Sequence, residues 1–215
     1  MQTFKKAFTL AEILITLLII GVIASLTIPG LISDTQDQQY KAAWRKTYSD
    51  LDQATKRIMT DNGGSLSGVC SETIGMDRCA CIRDKLTNYL NYVKTCNYGA
   101  SGCFHQHGGD FKKLSGDPFY SPSSSWVCGT GLVLNNGTLI DIDYWSDVWT
   151  ASNPYVYIMV DINGSKGPNT VGKDIFAINL YAQYIKPFGS QNDGYENSCA
   201  SNGSGLGCSA KFLYQ

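Results

Sequence analysis

Excess positive charge, histidine and the common catalytic loop motifs are what this chain has least of. Lys and Arg number 17 against 18 Asp and Glu, a formal net charge of −1 at pH 7. Bulk electrostatic binding of nucleic acid is therefore not expected, because that mode needs a cluster of cations to neutralise phosphates. Only two histidines occur, His105 and His107, both in a glycine-rich stretch. The chain has no Gly-x-Ser-x-Gly elbow, no phosphate-binding glycine loop and no His-Glu-x-x-His pair. Hydrolase, nucleotide-dependent and zinc-protease chemistries thus have no residues to rest on. Nothing in the sequence sets a nucleophile or a carboxylate beside the histidines, and no enzymatic activity is expected.

Charge is also missing from one long run. Phe8 to Ile28 is 21 residues carrying a single charge, Glu12. A helix of that length spans roughly 30 Å, the hydrocarbon thickness of a bilayer. Lys5 and Lys6 precede the run and the next basic residue is Lys41, so the positive-inside bias predicts a single pass with the N-terminus in the cytoplasm. Glu12 is the exception. A lone carboxylate at the bilayer centre costs about 2.5–3.5 kcal/mol on insertion scales, so it needs a partner. The small residue Ala7 lies before the apolar run, where a cleaved secretory signal has its small residue after it.

The stretch Lys5-Lys6-Ala7-Phe8-Thr9-Leu10-Ala11-Glu12, followed by this apolar helix, resembles the class III signal of type IV pilins and type II secretion pseudopilins. The resemblance covers residues 1–30. It implies that a prepilin peptidase cuts between Ala7 and Phe8 and methylates the new Phe8 amino group, leaving the apolar helix in the mature chain. The residue before the cut is usually Gly in that family, and Ala7 is the nearest substitute in size. The resemblance also supplies the partner: Glu12 pairs with the Phe8 ammonium of a neighbouring subunit once helices pack out of the lipid into a filament core. Pro29 falls where pilin helices commonly break or soften. The implied location is the bacterial inner membrane, then a periplasmic pseudopilus or an extracellular pilus. The implied partners are the peptidase, other pilins in a homo-oligomeric helical filament, and an inner-membrane assembly platform with its ATPase.

Composition agrees with export. Loss of Met1–Ala7 would leave 15 basic against 18 acidic residues, a formal −3. About 150 residues follow the first helix, enough for one small globular domain. All eight cysteines, Cys70, Cys79, Cys81, Cys96, Cys103, Cys128, Cys199 and Cys208, lie in that part. An even number in an oxidising compartment predicts a disulfide framework, whose connectivity spacing does not choose. A zinc cluster from Cys79, Cys81, Cys96, His105 and His107 is the weaker reading, since no Cys-x-x-Cys pair is present.

From Ile32 to Asp61, side chains of one stripe recur every three or four positions (Tyr40, Ala43/Trp44, Tyr48, Leu51, Ala54/Thr55, Ile58), which predicts an amphipathic continuation of the first helix. Asp61-Asn62-Gly63-Gly64 stops it. Leu86, Tyr89, Leu90 and Val93 predict a second helix around Asp84–Lys94. Strands are predicted at Ser125–Cys128, Leu132–Leu134, Thr138–Asp143, Tyr155–Asp161 and Ile175–Leu180, with Asn136-Gly137 as a hairpin turn. The expected fold is α+β and pilin-like: one long helix packed on an antiparallel sheet of about four strands, with disulfide-rich loops. The expected organisation is a leader at 1–7, an assembly helix at 8–30, its amphipathic half at 31–62 and an exported unit at 63–215.

Two loops carry candidate chemistry. Asp161, Asn163, Asn169 and Asp174 offer alternating oxygen ligands beside the Gly164 turn, which suits a hard cation such as Ca²⁺. The same residues also suit a rigid turn whose Asp and Asn bond their own backbone. The stretch is similar to an Asp-x-Asn-Gly-x-x-Gly-Pro-Asn loop of pilin-like proteins. The polar tail from Ile185 to Gln215 contains Cys199 and Cys208, and resemblance to the disulfide-bounded C-terminal loop of pilins implies that these two pair. The aromatic residues Trp126, Tyr144, Trp145 and Trp149 have two readings: packing in strands, or a stacking surface for DNA or a host ligand in a minor pilin acting as a binding module.

Overall fold

The computed structural model describes residues 8–70, 75–97, 103–104, 111–119, 128–144 and 156–214. The chain divides into two compact units, Met1–Gln39 and Tyr40–Gln215.

The helix α1 spans Leu10–Asp61 without a break at Pro29. Its first part is apolar on every side, so no face is distinguished: Leu14, Leu18, Val22 and Leu26 are all exposed. Hydroxyls within this run bond the preceding turn. Thr16 donates to Glu12 O at 3.0 Å, Ser25 to Val22 O at 2.8 Å and Thr27 to Ile23 O at 3.0 Å, so these hydroxyls do not depend on water for a partner. The helix ends where the sequence supplies turn residues. Gly63 and Gly64 take φ of 73° and 90°, and Gly64 N–H donates back to Met59 O at 2.8 Å. The unpaired carbonyls of the last turn are thereby satisfied.

In the second unit, six strands among the described residues form one antiparallel meander in the order β1 (Tyr92–Cys96), β2 (Thr130–Leu134), β3 (Leu139–Tyr144), β4 (Val156–Asp161), β5 (Ile175–Leu180) and β6 (Ile185–Pro187). The Asn136-Gly137 hairpin joins β2 to β3, with Gly137 at φ 87°. Gly131 on β2 is required by close approach, since a Cβ there would lie 1.8 Å from Ile140 O. Alternation along the strands sends two apolar sets to opposite faces. Ile140, Ile142, Ile158, Phe176 and Ile178 form one core with Trp44, Leu51 and Ile58 of α1 and with Ile82 and Leu86 of α2 (Gly75–Thr87). Leu139, Met159, Ile175 and Ala177 form the other with Phe104, Phe111, Val171, Phe188 and Leu206.

Trp44 anchors the first core. It is fully buried, stacks on Phe176 at 4.7 Å and donates its indole N–H to Ser209 O at 2.9 Å. Ser209 lies on α3 (Cys208–Tyr214), and its hydroxyl also accepts Ala177 N–H at 2.9 Å. One serine therefore joins the long helix, the sheet and the last helix.

Two expectations are corrected. The sheet has six strands rather than about four, because the edge strands β1 and β6 are short and lack a clear alternation. The helix expected at Asp84–Lys94 lies earlier, at Gly75–Thr87, and Val93 and Lys94 belong to β1. Asn88 and Asn91 interrupt the helical spacing, and pairing with β2 draws the following residues into the sheet. Cys128 lies outside any strand, and Ser125–Val127 lie outside the described residues. The glycine-rich tail carries α3, a helix that its composition does not announce.

Candidate functional sites

Thr9 and Glu12 begin the long helix as a reciprocal pair. Glu12 N–H donates to Thr9 Oγ1 at 3.2 Å, while Thr9 N–H and Thr9 Oγ1 each donate to Glu12 Oε2 at 2.8 Å. This is the capping box, in which the first helical turn satisfies its own amide donors and places a carboxylate at the positive end of the helix dipole. The signal was legible as Thr-x-x-Glu before an apolar run, yet the costly carboxylate drew attention only to an external partner. Phe8 is exposed one residue before the cap. Ala7 lies outside the described residues. Both members of the cap follow the Ala7–Phe8 bond, so cutting there leaves it intact.

The loop between β4 and β5 brings three of its four named residues together. Asp174 is fully buried; its Oδ2 accepts Asn169 N–H at 2.8 Å and its Oδ1 accepts Thr170 N–H at 2.7 Å. The Asn163 side chain lies near enough to favour the charged form of the Asp174 carboxyl. The Asn163 amide reaches Tyr40 Oη at 3.1 Å and Gly167 O at 3.2 Å as well. Burial pushes the Asp174 carboxyl up, and the Thr170 and Asn169 amides oppose it. Asp161, also fully buried, accepts Asn163 N–H at 3.2 Å, turning the chain into the loop.

These bonds make the loop a self-satisfied turn, with two exceptions. Asn163 Oδ1 and Asn169 Oδ1 are buried atoms without a hydrogen-bond partner. Two orphaned carboxamide oxygens beside a carboxylate fit the donor set of a hard cation. Asn163, Asn169 and Asp174 are the residues that would hold it, and it would supply the positive charge those oxygens lack. Among the described residues, no three acidic, histidine or cysteine side chains converge on a metal-sized site.

The cysteines form four bridges: Cys70–Cys81, Cys79–Cys128, Cys96–Cys103 and Cys199–Cys208. The framework reading holds, the last pair is the one the resemblance implied, and Cys79, Cys81 and Cys96 are not thiolates available to zinc. His105, His107, Trp126, Trp145 and Trp149 lie outside the described residues, as does the side chain of Tyr144.

Sequence reasoning missed one polar cluster. Asp141 and Asp143 stand two residues apart on β3, on the face away from α1, and are 8% and 3% exposed. Asp143 Oδ1 accepts Cys128 N–H and its Oδ2 accepts Tyr157 O–H at 2.9 Å.

Comparison with known proteins returns no matching family model, no matching curated protein and no matching solved structure.

Proposed function

We propose that this chain is a structural subunit of a helical filament, a type IV pilus or a type II secretion pseudopilus, processed by a prepilin peptidase and assembled through its N-terminal helix. The observation that carries the reading is Glu12. It is the one charge in a run long and apolar enough to cross a membrane, and it follows the Lys5–Phe8 signal at the spacing that the family uses. The capping box adds a physical account of how the subunit holds that carboxylate before assembly: the Thr9 amide and hydroxyl stand in for the partner. In a filament, a neighbour's Phe8 ammonium is a stronger partner in the same dry surroundings.

The test is intact and N-terminal peptide mass spectrometry of the full chain expressed with and without a prepilin peptidase. The expected result is loss of Met1–Ala7 only with the peptidase, and a methyl group on Phe8. A leader retained in both strains overturns the reading and leaves a membrane-anchored exported unit.

A further inference from the structure

The sheet face away from α1 is lined mainly by apolar side chains, and Asp141 and Asp143 break that rule. On β3, Asp141 stands opposite Gly131 of β2 and Met159 of β4, and Asp143 opposite Tyr157 of β4. Neither carboxyl is open to bulk solvent, and neither forms an ion pair among the described residues. The two groups stand two residues apart on one face of β3, and two negative charges buried so close together repel each other, which favours keeping a proton on one of them.

The surroundings decide which one. Asp143 takes the Cys128 N–H on one oxygen and the Tyr157 O–H on the other, so both of its oxygens act as acceptors. Asp143 is thus the better supported of the two charges, and Asp141 is the group that keeps a proton. The titratable groups facing the pair from the described elements are Tyr157 on β4 and, behind it, Tyr195. Both are neutral phenols that supply no compensating cation.

We propose that Asp141 and Asp143 share a retained proton that fastens the approach to β2, through Cys128, to β3 and β4, and that loss of this proton loosens the exported unit as pH rises. Cys128 is bridged to Cys79 of α2, so the charge on one carboxyl pair bears on the junction of helix, bridge and sheet.

Burial pushes the Asp143 carboxyl up to about 6 and, together with the neighbouring Asp143 charge, raises Asp141 well above the carboxylate range. In the unfolded chain both groups ionise near 3.8. A raised acid binds protons more tightly in the folded state. Its contribution is complete below the unfolded value and is lost as pH rises through the folded one. Between the unfolded value and the raised folded ones, the folded pair holds more protons than the unfolded pair. The folded-to-unfolded ratio should then fall about tenfold per pH unit for each proton retained.

Urea unfolding of the full chain in detergent at pH 5, 6, 7 and 8, for the native protein and Asp141→Asn, tests this. The amide of Asn keeps a donor toward Asp143 but has no proton to lose. The native protein's folding equilibrium should fall as pH rises from 5 to 8, and the variant's should fall much less. Infrared spectra of the native protein at pH 7 should contain a protonated carboxyl band that the variant lacks. The infrared arm on native protein decides the matter even if the variant fails to fold. Equal pH dependence in both proteins, or no protonated carboxyl at pH 7, overturns the proposal.

Discussion

Leu26 and Leu51 belong to one helix, yet the first is 78% exposed and the second 1%. Up to Gln39 the large apolar side chains of α1 are exposed among the described residues, whereas from Tyr40 onward one stripe of the helix is buried against the sheet and α2. The two regions are built on different plans. Apolar residues on all sides, hydroxyls bonded to the preceding turn and a capped start make a segment long and apolar enough to cross a membrane. One apolar stripe with charged flanks makes a segment that needs a core. Amphipathicity begins where the partner is intramolecular.

The sharpest way to break this comparison is to change one region and look for an effect in the other. On the filament reading, Glu12→Ala should abolish assembly, at least about a hundredfold by counts of sheared fibres in electron micrographs, because removing one side of a buried pair costs about 3–5 kcal/mol per contact. The urea midpoint of the second unit, Tyr40–Gln215, should stay where it is. Replacing both Cys79 and Cys128 by Ser opens a loop of 49 residues and should lower stability by about 4 kcal/mol on the chain-entropy model. Trp44→Ala should remove about 3–4 kcal/mol by leaving a cavity beside Phe176 and orphaning Ser209 O, read as a shift in urea midpoint with membrane extraction unchanged. Opening Cys199–Cys208, separated by 9 residues, should have a smaller effect, roughly 2–3 kcal/mol. The smallest expected change is a gain. Calcium at ten to thirty times its Kd should stabilise the exported unit by roughly 1–2 kcal/mol, and Asn169→Ala should remove that gain in a thermal melt.

The legible parts of the fold were those in which local chemistry and tertiary structure agree. Asp61-Asn62-Gly63-Gly64 stops the long helix because its glycines adopt positive φ at no steric cost. Asn136-Gly137 pins the β2–β3 register for the same reason. β1 was hidden because Tyr92 to Thr95 form an exposed edge, where neither alternation nor burial marks a strand. β6 is three residues ending in Pro187, too short for a pattern. Three of the four bridges escaped because the pairing of the other six cysteines depends on where the loops return.

Asp141 and Asp143 escaped for a different reason. Alternation in Leu139-Ile140-Asp141-Ile142-Asp143 reads as a strand with its acids in water. That inference assumes one wet face, whereas Phe104, Phe111 and Phe188 help to cover the face that carries the acids. In the β4–β5 loop, the residue types were visible, but the two orphaned asparagine oxygens appear only when the backbone bonds are traced.

The hydrogen bond from Trp44 to Ser209 joins residues 165 positions apart. At ribosomal speeds of 5–20 residues per second, on the order of ten to thirty seconds separate the synthesis of the indole from that of its acceptor. Throughout that interval the indole N–H lacks its native acceptor, although Tyr48 and later Phe176 already offer the ring a packing surface. The core can therefore begin to close around Trp44 before its last polar group is satisfied, and the arrival of one serine completes it.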